Sequence, residues 1–152
     1  MAADRTLDPR LIEFFGEPIS VYTREQALAD GQLVDVTAWA SSGLDGMIGG
    51  FRCPVALTRL LWDVVDLADG GDDGSEEGKA GWRARVRGRG ESTRGRAHDV
   101  LWMLRCAVAR NSRTDRLRFS VLMTTADCRR HRLDLCAVID GDGITVGFPQ
   151  DF

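Results

Sequence analysis

The C-terminal stretch LRFSVLMTTADCRRHRLDLCAVIDGDGITVGF (117–148) contains three segments in which apolar and polar residues alternate. These segments are 117–123, 133–139 and 144–148, and the turn DGDG (140–143) joins the last two. Alternation with a period of two is typical of strands that bury one face of a sheet. Tight turns between consecutive strands favour antiparallel pairing. The sequence therefore predicts an α+β fold in which an antiparallel sheet, this C-terminal meander, is covered by helices on one face.

Two helices, at about 54–68 and 97–110, are predicted to cover the sheet. Pro54 suits the first turn of a helix. Apolar residues at helical spacing follow it: Leu57, Leu60, Leu61, Val64, Val65 and Ala68. The predicted core combines residues of both helices with residues of the strands: Leu61, Val65, Leu104, Val108, Phe119, Val121 and Leu135. Upstream, Thr23 and Gln26 have the spacing of a capping box, which predicts a further helix over 24–30.

Residues 69–96 follow neither periodicity. DGGDDGSEEG (69–78) is acidic, and WRARVRGRGESTRGR (82–96) is rich in arginine. Such a composition is typical of a mobile loop, and a loop of this length is unusual inside a compact domain. We therefore predict a single domain over 1–152 that is interrupted by a flexible charged insertion at 69–96.

The overall composition is that of an ordinary globular protein, with 43% hydrophobic and 28% charged residues. A net charge of −3 argues against general affinity for DNA or for an anionic membrane. The chain has no apolar run near the roughly 20 residues that span a bilayer, and its first residues lack a secretory apolar region. We expect a cytoplasmic protein with reduced cysteines and no membrane partner.

Candidate catalytic and metal-ligating residues are few. The two histidines, His98 and His131, are not accompanied by the pattern of a Ser or Cys nucleophile with an orienting group. Cys128 and His131 are three residues apart, but no second pair with ligand spacing accompanies them. The glycines of 43–50 are not followed by the Lys-Ser/Thr of a phosphate loop. The sequence therefore predicts no catalytic residue, no metal site and no cofactor.

The arginine-rich segment is one candidate binding surface. Trp82 could stack on a base while the arginines that follow it neutralise phosphates. The candidate residues are Trp82, Arg83, Arg85, Arg87, Arg89, Arg94 and Arg96. The alternative is that the acids of 69–77 and these arginines partly neutralise each other.

Trp39 is a second candidate binding residue. It precedes a glycine-rich loop, at a position where no periodicity requires a large core residue. Exposed tryptophans are frequent anchors of protein interfaces. On this hypothesis Trp39 contacts a protein partner, and Trp39→Ala leaves thermal stability nearly unchanged. The alternative is that Trp39 plugs the edge of the domain, in which case the same substitution lowers stability.

Four segments carry a resemblance to a known family: GEPISVYTREQALADGQLVDVT (16–37), GFRCPVALTRLLW (50–62), HDVLWMLRCAV (98–108) and CAVIDGDGITVGFPQD (136–151). They resemble an uncharacterised family of small bacterial proteins, a domain of unknown function carried on plasmids, phages and other mobile elements. The stretches 41–50 and 83–96 depart from the family's pattern. The resemblance implies no activity, cofactor or catalytic residue. It implies a mobile element's accessory protein, of the kind that serves stability, transfer or evasion of host defence.

Three functions are therefore carried forward. The leading hypothesis is a non-enzymatic accessory protein of a mobile element that binds a host protein or ribonucleoprotein complex. One form of this hypothesis is counter-defence, in which the protein acts as an anti-CRISPR-like inhibitor. The first alternative is a nucleic-acid-binding accessory protein that uses 83–96. The second is an enzyme whose dispersed site assembles from Tyr22, Arg24, His98 and Asp99, which a pocket joining all four would support.

Overall fold

The computed structural model of the protein describes residues 22–42, 49–66, 91–125 and 129–152. Its helices are α1 (Arg24–Ala29), α2 (Thr37–Ser42), α3 (Arg59–Val65) and α4 (Thr93–Arg110). Its strands are β1 (Leu33–Asp35), β2 (Val55–Thr58), β3 (Arg116–Thr124), β4 (Arg130–Asp140) and β5 (Gly143–Gly147). A single 3₁₀ turn, Pro149–Asp151, follows the last strand.

The five strands form one sheet in the order β1-β2-β5-β4-β3. Strands β3, β4 and β5 pair antiparallel in sequence order, which confirms the predicted C-terminal meander. The N-terminal half contributes β1 and β2, which the sequence did not assign to the sheet, and β2 runs parallel to β5. The α+β fold is thus confirmed, although the sheet is mixed rather than wholly antiparallel.

The predicted helix at 54–68 is wrong in its first part. Residues 55–58 form β2, which lies between β1 and β5 with all four residues buried. The helix begins only at Arg59, after Thr58, whose extended backbone and hydroxyl cap the first turn. Leu60, which the predicted stripe placed toward the core, is 59% exposed. The apolar run therefore supplies a central strand and then a short helix.

Helices α3 and α4 cover one face of the sheet, as predicted. Leu61, Val65 and Leu104 are fully buried in the core cluster, and Val108 lies partly buried against it. On the strand side Val121 and Leu135 are buried, and Phe119 packs against the cluster while partly exposed. The predicted capping box is also confirmed. The Gln26 backbone N–H donates to the Thr23 hydroxyl, and the Thr23 N–H donates to the Gln26 side-chain oxygen at 2.9 Å.

The predicted insertion at 69–96 lies largely outside the described residues. The predicted start of the second helix near residue 97 is wrong, because α4 begins at Thr93. The reason is a helix cap that the prediction overlooked: the Gly95 backbone N–H donates to the Ser92 hydroxyl at 3.0 Å. The earlier start adds one helical turn and brings Arg94 and Arg96 onto an ordered element.

The turn between β4 and β5 fits closely against the start of β2. Gly143 has a φ of +135°, and a Cβ atom there would lie 2.3 Å from the Pro54 carbonyl oxygen. The same carbonyl accepts the Ile144 backbone N–H at 2.8 Å. Only glycine fits this approach, which holds the C-terminal meander against the N-terminal half of the sheet.

Candidate functional site

Arg96 is the centre of a buried polar cluster at the N-terminus of α4. Its side chain is 4% exposed and forms an ion pair with Glu91, with 2.8 Å between Nη1 and Oε2. Its Nη2 donates to the backbone carbonyls of Val64 at 2.9 Å and Thr124 at 2.8 Å. The Thr124 hydroxyl donates to the second oxygen of Glu91. One guanidinium thus joins α3, the start of α4 and the end of β3.

The surroundings of Arg96 determine its charge and its role. Burial lowers the pKa of the Arg96 guanidinium from its ordinary value, whereas the hydrogen bond and the negative charge of Glu91 act in the opposite direction. Its Nε is buried and has no hydrogen-bond partner in the described part of the chain. Arg96 is thus held by protein partners in this structure, and its predicted contact with nucleic acid stays a prediction.

A cleft of about 220 Å³ lies next to this cluster, between the first turns of α4 and the end of β3. Its lining residues are Glu91, Ser92, Gly95, Arg96, His98, Asp99, Leu122, Met123 and Arg130. The carboxylate of Asp99 lies 3.8 Å from Nδ1 of His98. The one hydroxyl in the lining, that of Ser92, already accepts the Gly95 N–H.

The four residues of the dispersed-enzyme hypothesis do not meet in this cleft. Tyr22 donates its hydroxyl proton to Asp30, and Arg24 donates to the Thr145 hydroxyl and the Ile144 carbonyl. Ile144 belongs to the core under the helices, so Thr145, the next residue, projects from the opposite face of the sheet. Arg24 is therefore on the other face from His98 and Asp99, and the observation that would have supported this enzyme is missing.

Trp39 is half-buried rather than displayed. It packs against the core cluster, and its ring centroid lies 6.1 Å from that of Trp62. This contact supports the alternative in which Trp39 plugs the edge of the domain. Its role in partner binding stays a prediction.

The remaining predicted binding residues have different outcomes. Trp82, Arg83, Arg85, Arg87 and Arg89 lie outside the described residues. Arg94 lies in the first turn of α4 and is exposed. Within the described residues, the hypothesis based on 83–96 therefore keeps one accessible arginine.

A different basic surface lies on the sheet. In β3 and β4, the residues that alternate with the core residues project from the face opposite α3 and α4. Four of them are exposed arginines, which we call the arginine face: Arg116, Arg118, Arg130 and Arg132. Two acids share this phase: Asp134, whose Oδ1 lies 3.1 Å from Nε of Arg132, and Asp140, which ends β4 beyond the residues that pair with β3. The surface is strongly positive although the whole chain has a charge of −3.

Sequence reasoning missed this surface for an identifiable reason. In the alternating segment 117–123, Arg118 falls on the polar side, and Arg116 continues the same phase. The next predicted strand, however, starts only at residue 133, so that residues 129–132 fall outside it. The structure starts β4 at Arg130 and pairs it with Thr124. The alternation of arginine with His131 and Leu133 is the signal that could have extended the strand.

No similar protein provides an independent assignment. Searches of protein-family models, curated proteins and solved structures gave no significant match to this chain. In the described ranges, no three His, Cys, Asp or Glu residues come close enough together to hold a metal ion. No helix among the described residues combines the length and apolar character needed to cross a membrane. The site must therefore be interpreted from its own geometry.

Proposed function

We propose that this protein is a non-enzymatic nucleic-acid-binding protein that contacts the phosphate backbone through the arginine face. The observation that carries the proposal is the grouping of four exposed arginines on one face of two paired strands, where Asp134 is the one acid among the residues that pair β3 with β4. The planar guanidinium groups of arginine bind phosphate oxygens in a bidentate manner. Ordered strands hold these groups in fixed rows, which favours several simultaneous contacts.

The length of the arginine face suits a nucleic acid. Arg116 and Thr124 are the two ends of β3, and Arg130 lies directly opposite Thr124. At roughly 3.4 Å per residue, the eight steps between these ends span about 27 Å. One strand of B-form DNA presents a phosphate about every 3.4 Å along the helix axis, so the face extends past about eight phosphates.

The chemistry of the face favours backbone contacts over base recognition. The outer positions of β3 and their partners in β4 include arginine, serine, leucine and threonine but no aromatic residue. Stacking platforms for bases are built from aromatic side chains. Phosphate contacts position a protein without selecting a sequence. We therefore propose binding that depends strongly on salt and weakly on sequence.

The negative charge of the whole chain is compatible with this proposal. Because the positive groups are concentrated on one face while the total is −3, the rest of the chain is acidic. The net negative charge of the chain therefore does not exclude a local positive surface that attracts phosphate.

The resemblance to accessory proteins of mobile elements gives the proposal its context. In that context the protein acts in the cytoplasm of a bacterial host, and a ribonucleoprotein complex such as a CRISPR effector offers the exposed nucleic acid. Counter-defence then follows from occupying that nucleic acid. The resemblance alone supports this part of the proposal, and it is tested separately by assaying effector activity in the presence of the protein.

The binding test compares two variants with the same change of charge. Arg116→Gln combined with Arg132→Gln removes half of the arginine face, whereas Arg52→Gln combined with Arg110→Gln removes two exposed arginines elsewhere. Fluorescence anisotropy with a labelled DNA duplex measures the affinity of each. We expect the first pair to weaken binding at least about tenfold, because each charge-assisted contact contributes roughly 1 kcal/mol or more. Equal effects of the two pairs would reject the arginine face as the contact surface.

A further inference from the structure

Strand β3 lies at one edge of the sheet, and its hydrogen-bond phase is fixed at both ends. The Ile139 N–H donates to the Asp115 carbonyl at 2.7 Å, and the Thr125 N–H donates to the Arg129 carbonyl at 3.0 Å. In an antiparallel ladder, alternate residues direct both backbone groups to the same neighbour. The odd-numbered residues of β3 therefore bond to β4, and the even-numbered residues direct their N–H and C=O groups to the free edge.

Both ends of this free edge are closed by side chains. At one end the Thr114 hydroxyl bonds to the N–H and to the C=O of Arg116. At the other, Arg96 donates to the Thr124 carbonyl. Between them, Arg118, Ser120 and Leu122 have no edge hydrogen bond within the described part of the chain.

The open part of the edge borders the cleft at the start of α4. Leu122 and Met123 form the strand side of that cleft, and Gly95, His98 and Asp99 form its helical wall. Leu122 is 60% exposed. An extended chain along this edge would thus pair with β3 and also contact α4. Because Gly95 has no side chain, it leaves space for that chain beside the helix.

We propose that this groove binds an extended acidic peptide of a protein partner by β-strand addition. Two exposed arginines lie at the open edge, Arg118 on β3 itself and Arg130 at the end of the cleft. The two carboxylates of the cleft have positive or ionisable neighbours, because Glu91 pairs with Arg96 and Asp99 lies 3.8 Å from His98. Side chains directly opposite each other in a ladder lie on the same face. The peptide then has an acidic residue opposite Arg118, a small one opposite Ser120 and an apolar one opposite Leu122. The groove shares Arg118 and Arg130 with the arginine face, but the inference rests on the open backbone groups of β3 and not on the proposed nucleic-acid contact.

A second copy of the chain fits this edge less well. Antiparallel pairing of two β3 strands would place both copies of α4 on the same face of one continuous sheet. Helix α4 packs on β3, and paired strands lie about 4.8 Å apart, whereas packed helices need about 8–10 Å. A single extended segment brings no helix, so it avoids this collision.

Amide hydrogen exchange followed by NMR tests the proposal directly. The probe is the blocked peptide Thr-Val-Thr-Ser-Thr-Asp-Thr, which in the antiparallel direction places Asp opposite Arg118 and Val opposite Leu122. We expect the amides of Arg118, Ser120 and Leu122 to exchange rapidly in the free protein and to become protected when the peptide is added. Phe119 and Val121 should be protected in both states, because their N–H groups bond to β4. Protection of all five amides without peptide would overturn the proposal.

Two matched changes separate binding from folding. Ser120→Pro removes an N–H that points to the free edge, where proline is tolerated, and Ser120→Ala keeps it. We expect Ser120→Pro to weaken peptide binding at least about tenfold with an unchanged melting temperature, and Ser120→Ala to bind normally. A control peptide with lysine in place of aspartate needs no protein variant and should bind at least about fivefold more weakly. Equal binding of both peptides, or protection that rises with protein concentration alone, would contradict an acidic peptide as the occupant.

Discussion

The substitution Arg96→Met removes the guanidinium from the buried cluster and keeps an apolar side chain of comparable reach. The Val64 and Thr124 carbonyls then lose their donor, and Glu91 loses the ion-pair partner that lies 2.8 Å away. Breaking a buried ion pair from one side costs about 3–5 kcal/mol, because the other charge is left without compensation. The Glu91 side chain is 22% exposed, so water can reach it, and we expect the lower end of that range, about 3 kcal/mol.

Urea denaturation followed by tryptophan fluorescence and far-UV circular dichroism measures this loss. For a chain of this size, about 3 kcal/mol corresponds to a decrease in melting temperature of roughly 6–12 °C. Arg94→Met is the matched control, because Arg94 is exposed in the same helical turn, and it should change stability by less than about 0.5 kcal/mol. Adding Glu91→Gln to Arg96→Met should recover at least about 1 kcal/mol, because it removes the orphaned charge. Equal losses of unfolding free energy for Arg94→Met and Arg96→Met would show that the contacts of Arg96 do not hold α3, α4 and β3 together.

Two further substitutions test packing. Trp39→Ala should lower the free energy of unfolding by about 2 kcal/mol in urea denaturation, since a half-buried ring loses its contact with Trp62. An unchanged urea midpoint would instead support the hypothesis that Trp39 is an exposed residue that contacts a partner. Gly143→Ala should cost about 2 kcal/mol or more, because its Cβ would collide with the Pro54 carbonyl at a positive φ, whereas Gly141→Ala meets no atom and should be nearly neutral. Equal melting temperatures for the two alanine variants would disprove this fit.

The elements that were predictable from the sequence are those decided by local signals. The period-two alternation of 117–123 and 133–139 gave the strands of the meander, and the Thr23–Gln26 spacing gave α1. Each signal depends on neighbouring residues and survives without knowledge of the rest of the fold. The same signals located Leu104 and Val108 on the side of α4 that faces the core.

The strand β2 could not be predicted in the same way. A short apolar run that is buried on both faces has no periodicity of its own, and in this chain it merges with the apolar stripe of α3. Its conformation is decided by pairing with β1 and with β5, and β5 lies about ninety residues further along the chain. Such distant pairing leaves no local trace.

The candidate site was predictable only in part for a related reason. Arginine is mostly exposed, so nothing in the sequence marks Arg96 as buried; its partners Glu91, Val64 and Thr124 come from separate parts of the chain. The arginine face depends on the register of β3 and β4, which places Arg118 and Arg132 on one surface. The sequence contains these arginines, but only the pairing brings them together.

The salt dependence of nucleic-acid binding is the most direct test of the proposed function. Each phosphate neutralised on a DNA duplex contributes about −0.9 to the slope of log K against log salt concentration. Four contacts through the arginine face predict a slope of about −3 to −4 between roughly 50 and 200 mM salt, and about half that slope for the variant that lacks Arg116 and Arg132. A slope near zero, or the same slope in both proteins, would contradict binding through this face.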